Sequence, residues 1–226
     1  LLPIECVTYV YRKQPAADRR MMMQLRKEQY DIAIDLTDNA SVTSSILLAL
    51  AGAGVTVGVE KENAVVYDMT VPKRSRADVH ITERVAELLR PFGIDPASVS
   101  RAPSLRLQAT PTVGRIGLNV SSRTPERCAP PMASAQIAQM LLARGHAMEV
   151  WVFSAPHDRE RGRETVRLAG DARVTEAPPA KSFAGFAEQI ASCEYLITAD
   201  TSAIQLAAAA KVPMVLIFRP MPGEHP

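Results

Sequence analysis

The sequence lacks the features that mark several specialised classes of protein. Its three cysteines, Cys6, Cys128 and Cys193, are an odd and widely spaced set, which argues against a disulfide framework and against a structural zinc site. Aromatic residues make up only 5% of the chain, too few for the platforms that stack single-stranded nucleic acid. No apolar run approaches the roughly 20 residues of a membrane-spanning helix. We therefore expect a soluble, cytoplasmic protein.

Charge and length narrow the class further. The 26 basic side chains nearly cancel the 24 acidic ones, and a net charge of +2 gives no strong field, so we expect no nucleic-acid partner. The composition, 47% apolar and 22% charged, is globular, and 226 residues suit one large domain or two small ones. Because the chain begins at Leu1 and ends at Pro226 after a strand-like run, we interpret it as a fragment lacking its start and its end.

Short Val- and Ile-rich runs alternate with longer helix-compatible stretches, which is the pattern of βαβ units with a parallel sheet. The predicted strands are residues 6–11, 32–36, 55–59, 116–118, 149–153, 195–198 and 214–218. The predicted helices are residues 18–29, 41–51, 79–90, 133–143, 182–191 and 202–210. The sequence therefore predicts an α/β fold in both halves.

The segment 102–113 is the best linker candidate, because it carries two prolines and two threonines and precedes a new strand. It divides the chain into a domain over residues 1–109 and a domain over residues 110–226, each with a Rossmann-like rhythm. Two such domains facing each other place the carboxyl ends of their strands around a cleft, where open α/β sheets bind ligands. We therefore expect the site in that cleft.

The sharpest local feature is the turn after the strand 195–198. Asp200, Thr201 and Ser202 follow this strand and open an alanine-rich helix that carries Gln205. The amino terminus of a helix presents unpaired N–H groups and the positive end of the helix dipole, which suits a phosphate or diphosphate. Asp200 or Thr201 could equally act as an ordinary helix cap, and the two roles are compatible.

A second polar turn follows the strand 116–118. It offers hydroxyl groups at Ser121 and Ser122 and guanidinium groups at Arg123 and Arg127. Arginine binds diphosphate through paired, charge-assisted hydrogen bonds. The same composition is also that of a solvated loop, so the spacing alone leaves both interpretations open.

Together, the two turns and their spacing resemble the C-terminal half of glycosyltransferase family nine, the ADP-heptose:lipopolysaccharide heptosyltransferases. In that family, a Ser/Thr-rich turn with a basic residue precedes a proline, and a later strand ends in Asp-Ser/Thr before a Leu-Ala-Ala helix. The matching residues are Asn119, Ser121, Ser122, Arg127, Pro130, Asp200, Thr201, Leu206, Ala207, Ala208, Phe218 and Pro220. Residues 30–36 and 80–94 resemble a strand and a helix of the family's first half.

The resemblance implies an inverting, metal-independent glycosyltransferase of the GT-B type, with two Rossmann-like domains facing across a cleft. The C-terminal domain would bind a nucleotide-diphosphate sugar, such as an ADP-sugar, as substrate, and the N-terminal domain a saccharide or glycolipid acceptor, with no cofactor. The resemblance also places Lys181 and Ser182 near the adenine, although Ser182 equally fits a helix cap. The general base is expected in a glycine-containing loop of the family that precedes residue 1.

Three carboxylates near strand ends have alternative interpretations. Asp158 follows the strand 149–153, where nucleotide-sugar enzymes place an acid for the ribose, because a carboxylate accepts hydrogen bonds from paired hydroxyls. A charged, solvated helix start is the other interpretation of Asp158. Asp35 and Asp38 could substitute for the base or be structural.

The basic cluster Lys73, Arg74 and Arg76 suits anionic headgroups at the inner membrane surface, an acidic acceptor, or simply a solvated loop. Peripheral contact with that membrane surface is therefore one of the partner hypotheses, beside the donor and the acceptor.

Several residues depart from the family pattern. Ala129 stands in place of Trp, Ser202 in place of Gly, Gln205 in place of His, Arg219 in place of Gly and Met221 in place of Thr. These departures motivate an alternative, a noncatalytic relative or scaffold subunit that keeps the fold and has lost the site. A related nucleotide-sugar epimerase would require further catalytic acids and a histidine that the sequence does not place.

Overall fold

The structure is a computed structural model that describes residues 15–100, 102–103 and 105–218. The predicted strand 6–11 and the residues Arg219, Pro220 and Met221 lie outside these described residues. The chain forms two compact units that divide after residue 101, and each contains a parallel sheet, which confirms the α/β prediction. The functional division at residues 109–110 stays a prediction.

The first unit combines a small three-stranded sheet with helices and short 3-10 turns. Its strands are β1 (Ile32–Ile34), β2 (Val55–Val59) and β3 (Met69–Val71), and its α-helices are α1 (Pro15–Lys27), α2 (Val42–Ala51) and α3 (Ile81–Ala86). The 3-10 turns cover Ala64–Val66, Glu87–Phe92 and Pro96–Ser98. The strands pair in parallel in the order β1-β2-β3, and Val57, Val59, Val71 and Leu88 form the core.

The second unit is a doubly wound sheet with helices on both faces. Its strands are β4 (Thr112–Asn119), β5 (Glu149–Phe153), β6 (Val174–Glu176), β7 (Cys193–Ala199) and β8 (Met214–Ile217). Its α-helices are α4 (Pro131–Ala143), α5 (Arg159–Ala169), α6 (Phe183–Ala191) and α7 (Ser202–Ala210). The strands pair in parallel in the order β6-β5-β4-β7-β8.

The central strands of the second unit are covered on both faces, which explains their continuous apolar sequences. Helices α4 and α5 pack on one face, where Ile116, Leu118, Val150 and Val152 point. Helices α6 and α7 pack on the other face, around Phe153 and Leu196. No helix in the described ranges is both long enough and apolar enough to cross a membrane.

The helix predicted over residues 79–90 is divided. It runs as α3 over Ile81–Ala86, begins at the cap His80 and continues as a 3-10 turn over Glu87–Phe92. Pro91 accounts for the change, because it has no N–H to donate to the carbonyl of Glu87 and its ring clashes with that carbonyl.

Three elements do not appear among the sequence predictions. Strands β3 and β6 have three residues each, and each buries only one of them, so neither has an apolar run. Helix α5 has a strongly charged sequence, and its buried face consists of the small or polar residues Gly162, Thr165 and Ala169. The two strands therefore lack the apolar run, and α5 lacks the large apolar residues at helical spacing, that would have indicated them in the sequence.

Candidate functional site

The candidate site of the second unit lies where β4 and β7 end side by side. From β4 the chain adds β5 and β6 on one side of the sheet and then returns to add β7 and β8 on the other side, so the strand order reverses between β4 and β7. Asn119 and Thr198 are paired across this point. The carboxyl ends of strands at such a reversal are where open α/β sheets bind ligands.

Asn119 ties the two predicted turns together. Its Nδ2 lies 2.9 Å from Thr198 Oγ1 and 3.2 Å from Thr201 Oγ1, and it also donates to the carbonyl of Ser121 at 3.2 Å. Its Oδ1 accepts the Ser121 N–H at 3.3 Å. The serine-bearing turn after β4 and the start of α7 therefore form one polar corner, which we call the β4–β7 corner (Asn119, Ser121, Ser122, Thr198, Asp200 and Thr201).

Helix α7 begins in this corner with Thr201 as its cap. The Thr201 side chain accepts the Ala203 N–H at 3.2 Å from an extended backbone, which confirms the capping interpretation. Ser202 and Gln205 are exposed on the first turn of the helix, whereas Ala203 is buried. The first N–H groups of α7 and the positive end of its dipole thus lie at the corner, while a ligand role for these residues stays a prediction.

Arg127 and Asp200 form an ion pair at the edge of the corner. Arg127 Nη1 lies 2.9 Å from Asp200 Oδ2, and the side chains are 24% and 43% exposed. The pair joins the two predicted turns a second time and remains accessible to solvent. Arg123 is exposed on the same turn as Arg127.

The two serine hydroxyls of the corner are buried and already take part in the turn. Ser121 Oγ accepts the Ala155 N–H at 2.7 Å and so links the ends of β4 and β5. Ser122 Oγ accepts the Thr124 N–H at 3.3 Å. A hydroxyl that accepts one hydrogen bond still has a proton to donate. Both serines therefore shape the turn and keep one donor each.

Asp158 lies at the start of α5, near Arg161 and His157. Arg161 Nε is 3.8 Å from Asp158 Oδ1, and His157 Nε2 is 3.5 Å from Asp158 Oδ2. Arg161 also donates to the carbonyl of Ala129 at 3.3 Å. Cys128, next to Ala129, is a buried free thiol, and its burial raises its pKa. The ribose role of Asp158 stays a prediction.

A cavity of about 350 Å³ lies beside the carboxyl ends of β5 and β6. Phe153, Phe186 and the segment 177–180 line it, together with the charged side chains Arg159, Arg163 and Glu176. Its volume and its lining of two phenylalanines and several charged side chains suit a small aromatic base. Lys181 and Ser182 follow this lining segment, are exposed, and Ser182 caps α6 by accepting the Gly185 N–H at 3.0 Å.

The first unit has a polar cluster at the end of β1 that sequence reasoning missed. Lys61 Nζ and the Tyr67 hydroxyl both bind Asp35 Oδ2, at 3.0 and 2.7 Å. Thr37 donates its N–H and its hydroxyl to Asp35 Oδ1, at 2.9 and 2.7 Å. We call Asp35, Thr37, Lys61 and Tyr67 the Asp35 cluster.

Hydrogen bonding decides the charge of the Asp35 cluster. Burial alone would raise the pKa of Asp35, but the bonds from Thr37, Tyr67 and Lys61 outweigh burial and lower that pKa below its ordinary 3.8. Burial would lower the pKa of Lys61, but its bonds to Tyr67 and Asp35 raise it above its ordinary value. Because Asp35 stays ionised with both oxygens occupied, it is a structural anion and a poor substitute base.

The comparison with known families decides the assignment. The family model of glycosyltransferase family 9, the heptosyltransferases, matches residues 19–225. The chain belongs to glycosyltransferase family 9. The resemblance stated from the two turns is thereby confirmed. No curated protein matches the chain.

Solved structures show the same fold. The Escherichia coli heptosyltransferase WaaC with ADP-2-deoxy-2-fluoro heptose has a TM-score of 0.74 at 20% identity, over 92% of this chain and 67% of that one. A family 9 glycosyltransferase from Veillonella parvula gives 0.73 at 19%, over 92% and 63%. The E. coli ADP-heptose lps heptosyltransferase II gives 0.64 at 18%, over 90% and 67%. The chain thus spans about two thirds of the length of these proteins.

In this family 9 glycosyltransferase, the structure unites some of the predicted site residues and leaves others apart. Ser121, Arg127, Asp200 and Thr201 meet through direct contacts or through Asn119. Ser202 and Gln205 lie on the first turn of α7, which begins at that corner. Within the described residues, no hydrogen bond or ion pair links Lys181, Ser182 or Asp158 to the corner. None of the described residues forms a group of three His, Cys, Asp or Glu side chains that could hold a metal ion.

Proposed function

We propose that this chain is an inverting glycosyltransferase that moves a heptose-like sugar from a nucleotide-diphosphate sugar, such as an ADP-sugar, to a saccharide acceptor of the lipopolysaccharide type. The observation that carries the proposal is the β4–β7 corner, where a helix start and a serine-bearing turn meet beside Arg127. The family supports glycosyl transfer, and the E. coli WaaC structure is one with an ADP-heptose analogue.

The chemistry of the donor explains why such a corner is needed. An oxygen of the acceptor attacks the anomeric carbon, the bond from that carbon to the diphosphate oxygen breaks, and the configuration inverts. The acceptor proton passes to a general base, and the negative charge of the broken bond stays on the departing nucleoside diphosphate. Groups that stabilise this charge accelerate the reaction.

The described residues supply that stabilisation in three forms. The positive end of α7 faces the corner, the hydroxyls of Ser121 and Ser122 each keep a proton to donate, and Arg127 adds a full positive charge. In a metal-independent reaction, these groups do the electrostatic work. Asp200 holds Arg127 until the donor binds and contacts sugar hydroxyls afterwards. The aromatic cavity beside β5 takes the adenine, and Asp158 takes the ribose.

Titration calorimetry of the full chain with ADP, UDP and GDP tests the proposal. We expect ADP to bind, and Arg127→Ala to weaken it roughly 10- to 100-fold, because hydrogen bonds to charged groups contribute about 1.5–3 kcal/mol. Arg144→Ala is the matched control, because Arg144 is exposed at the far end of α4, away from the carboxyl ends of the strands.

Two results would contradict the proposal. Binding of none of the three nucleotides at millimolar concentration would favour the noncatalytic relative. Equal losses in Arg127→Ala and Arg144→Ala would show that surface charge in general, and not the corner, attracts the nucleotide.

A further inference from the structure

The linker that precedes β4 is fastened to helix α6 by a single carboxylate. Glu188 Oε1 accepts the N–H of Gln108 at 2.9 Å, and Glu188 Oε2 accepts the N–H of Ala109 at 2.7 Å. Both amides come before the first residue of β4, so the sheet gives them no partner. A carboxylate can satisfy two neighbouring N–H groups, because each of its oxygens accepts hydrogen bonds. We call Glu188, Gln108 and Ala109 the linker clamp.

Packing holds the same stretch of the linker in place. Leu107 is partly buried against the core cluster that contains Phe153 and Leu196. Beyond the clamp, Thr112 donates its N–H to the Ser192 carbonyl at 2.9 Å and begins β4. The linker from Leu107 onwards thus belongs to the second unit, and any bending of the chain between the two units occurs ahead of Leu107.

Helix α6 carries the clamp on one flank and a wall of the aromatic cavity beside β5 on the other. Phe186 and Gln189 line that cavity, whereas Glu188 binds the linker. Successive residues of an α-helix are turned by about 100°, so Glu188 lies about 200° around the helix from Phe186. Ala187 and Ile190, which lie between these two flanks, are buried in the core. One helix therefore contacts both the cavity and the linker.

The walls of the aromatic cavity are joined to the same helix and the same core. Gln189 Nε2 donates at 2.7 Å to the carbonyl of Pro178, another residue that lines the cavity. The rings of Phe153 and Phe186 meet edge to face, with their centroids 5.7 Å apart. Leu107 of the linker packs against the cluster that contains Phe153. A ligand that orders these walls therefore acts on the helix and on the core to which the linker is attached.

We propose that the linker clamp couples nucleotide binding in the aromatic cavity to the hold on the linker. A base bound in the cavity orders α6 and so strengthens the bonds from Gln108 and Ala109 to Glu188. Coupling between two sites is reciprocal, so the clamp favours nucleotide binding by the same factor. Glu188 is a positioning residue, which acts through α6. The nucleotide part of this inference rests on the proposed function.

Hydrogen exchange of the full chain, with fragmentation that resolves single amides, tests the clamp without any ligand. Glu188→Ala removes the acceptor of two amides, and we expect Gln108 and Ala109 to exchange at least about tenfold faster, since hydrogen bonds to charged groups are the stronger ones. Alanine favours a helix, so α6 should stay folded. Glu188→Gln keeps one acceptor oxygen and should retain part of the protection. Glu164→Ala is the matched control, because Glu164 pairs with Arg167 on the surface of α5.

The same measurement at a saturating concentration of ADP tests the coupling. In the wild type and in Glu164→Ala, we expect ADP to slow exchange at Gln108 and Ala109 about fivefold, the lower end of typical coupling between sites. In Glu188→Ala, ADP should leave exchange at these amides unchanged, and calorimetry should show ADP binding weakened by the same factor. A clamp with a merely structural role would protect the two amides equally with and without ADP.

Each contrary result refutes a different part of the proposals. Equal ligand-free exchange at the two amides in wild type and Glu188→Ala overturns the clamp, and so does an equal acceleration in Glu164→Ala. ADP that binds in calorimetry but leaves exchange at these amides unchanged overturns the coupling and leaves the donor site standing. Absent ADP binding refutes the donor site and the coupling with it, while the ligand-free exchange still decides the clamp. Circular dichroism of the variants establishes that they are folded.

Discussion

Both sheets carry a polar cluster where their strands end, but the ion pair is buried in one cluster and partly exposed in the other. In the first unit, the carboxylate of Asp35 and the ammonium of Lys61 are buried and satisfied by each other and by Thr37 and Tyr67. In the second unit, the charged pair Arg127–Asp200 lies at the edge of the corner and remains partly exposed. The buried Asp35 cluster, which we call the closed cluster, fixes a loop. The partly exposed Arg127–Asp200 pair, which we call the open pair, can exchange an internal partner for a ligand.

The largest expected effect is on the closed cluster. Lys61→Met leaves the buried Asp35 carboxylate without its cation, and we expect a loss of about 3–5 kcal/mol in the stability of the first unit. Hydrogen exchange of the amides in β2, followed by mass spectrometry, measures this loss. Lys73→Met, on an exposed loop, is the control and should change stability by less than about 0.5 kcal/mol.

The effect of Lys61→Met should depend on pH with a defined sign. Since the folded pKa of Asp35 is lowered, its contribution to stability is complete above the ordinary aspartate pKa of 3.8 and is lost as pH falls through the lower folded value. The difference between wild type and variant should therefore narrow in acid. A difference that is constant from neutral pH to below this range would mean that lost packing, not charge, causes the effect.

A smaller effect is expected from the glycine beneath the closed cluster. A Cβ at Gly58 would lie 2.5 Å from Tyr67 Cζ, so Gly58→Ala must displace the ring that binds Asp35. We expect a loss of about 1–3 kcal/mol in unfolding free energy, measured with urea. Gly185→Ala in α6 is the control, because its nearest atom would be Ser182 Oγ at 3.5 Å and alanine favours a helix. A harmless Gly58→Ala would show that the Tyr67 ring is not fixed.

The smallest expected effect is on the open pair. Asp200→Asn removes the carboxylate that competes for Arg127, so we expect ADP to bind up to about fivefold more tightly, in line with the 0.2–1 kcal/mol of an exposed ion pair. Calorimetry measures this change. Asp171→Asn breaks the exposed Asp171–Arg173 pair and should leave ADP affinity unchanged. Weaker ADP binding in Asp200→Asn would mean that Asp200 holds Arg127 in its binding position.

The difference between the two regions also explains what the sequence could predict. The β4–β7 corner is built from short segments, each a buried strand followed at once by capping and hydroxyl residues, and local patterns of that kind are readable. The start of α7 at Ser202, after the cap Thr201, agrees with its prediction to the residue. The meeting of the two turns follows from parallel strands that end at one edge.

The Asp35 cluster and the ion pair between Arg84 and Asp38 could not be predicted from the sequence in this way. Lys61 stands in the polar stretch Glu60–Glu62, which has the composition of a surface loop, and only the path of the chain after β2 buries it against Asp35. Arg84 stands in a charged helix between Glu83 and Val85, and its burial depends on Asp38, far away in sequence. Long-range ion pairs leave no periodic signal, so sequence patterns miss them.

The carboxamide of Asn119 has a practical consequence for protein engineering. Its Nδ2 donates hydrogen bonds towards Thr198, Thr201 and the Ser121 carbonyl, and its Oδ1 accepts one from the Ser121 N–H. No other side chain of its size has both a donor and an acceptor in this arrangement. Aspartate would place an acceptor against the Ser121 carbonyl, and leucine would leave the hydrogen-bonding groups of Ser121, Thr198 and Thr201 without their partner. A combinatorial library intended to probe the proposed diphosphate site should therefore keep position 119 constant and place its diversity at the solvent-facing Arg123, Ser202 and Gln205.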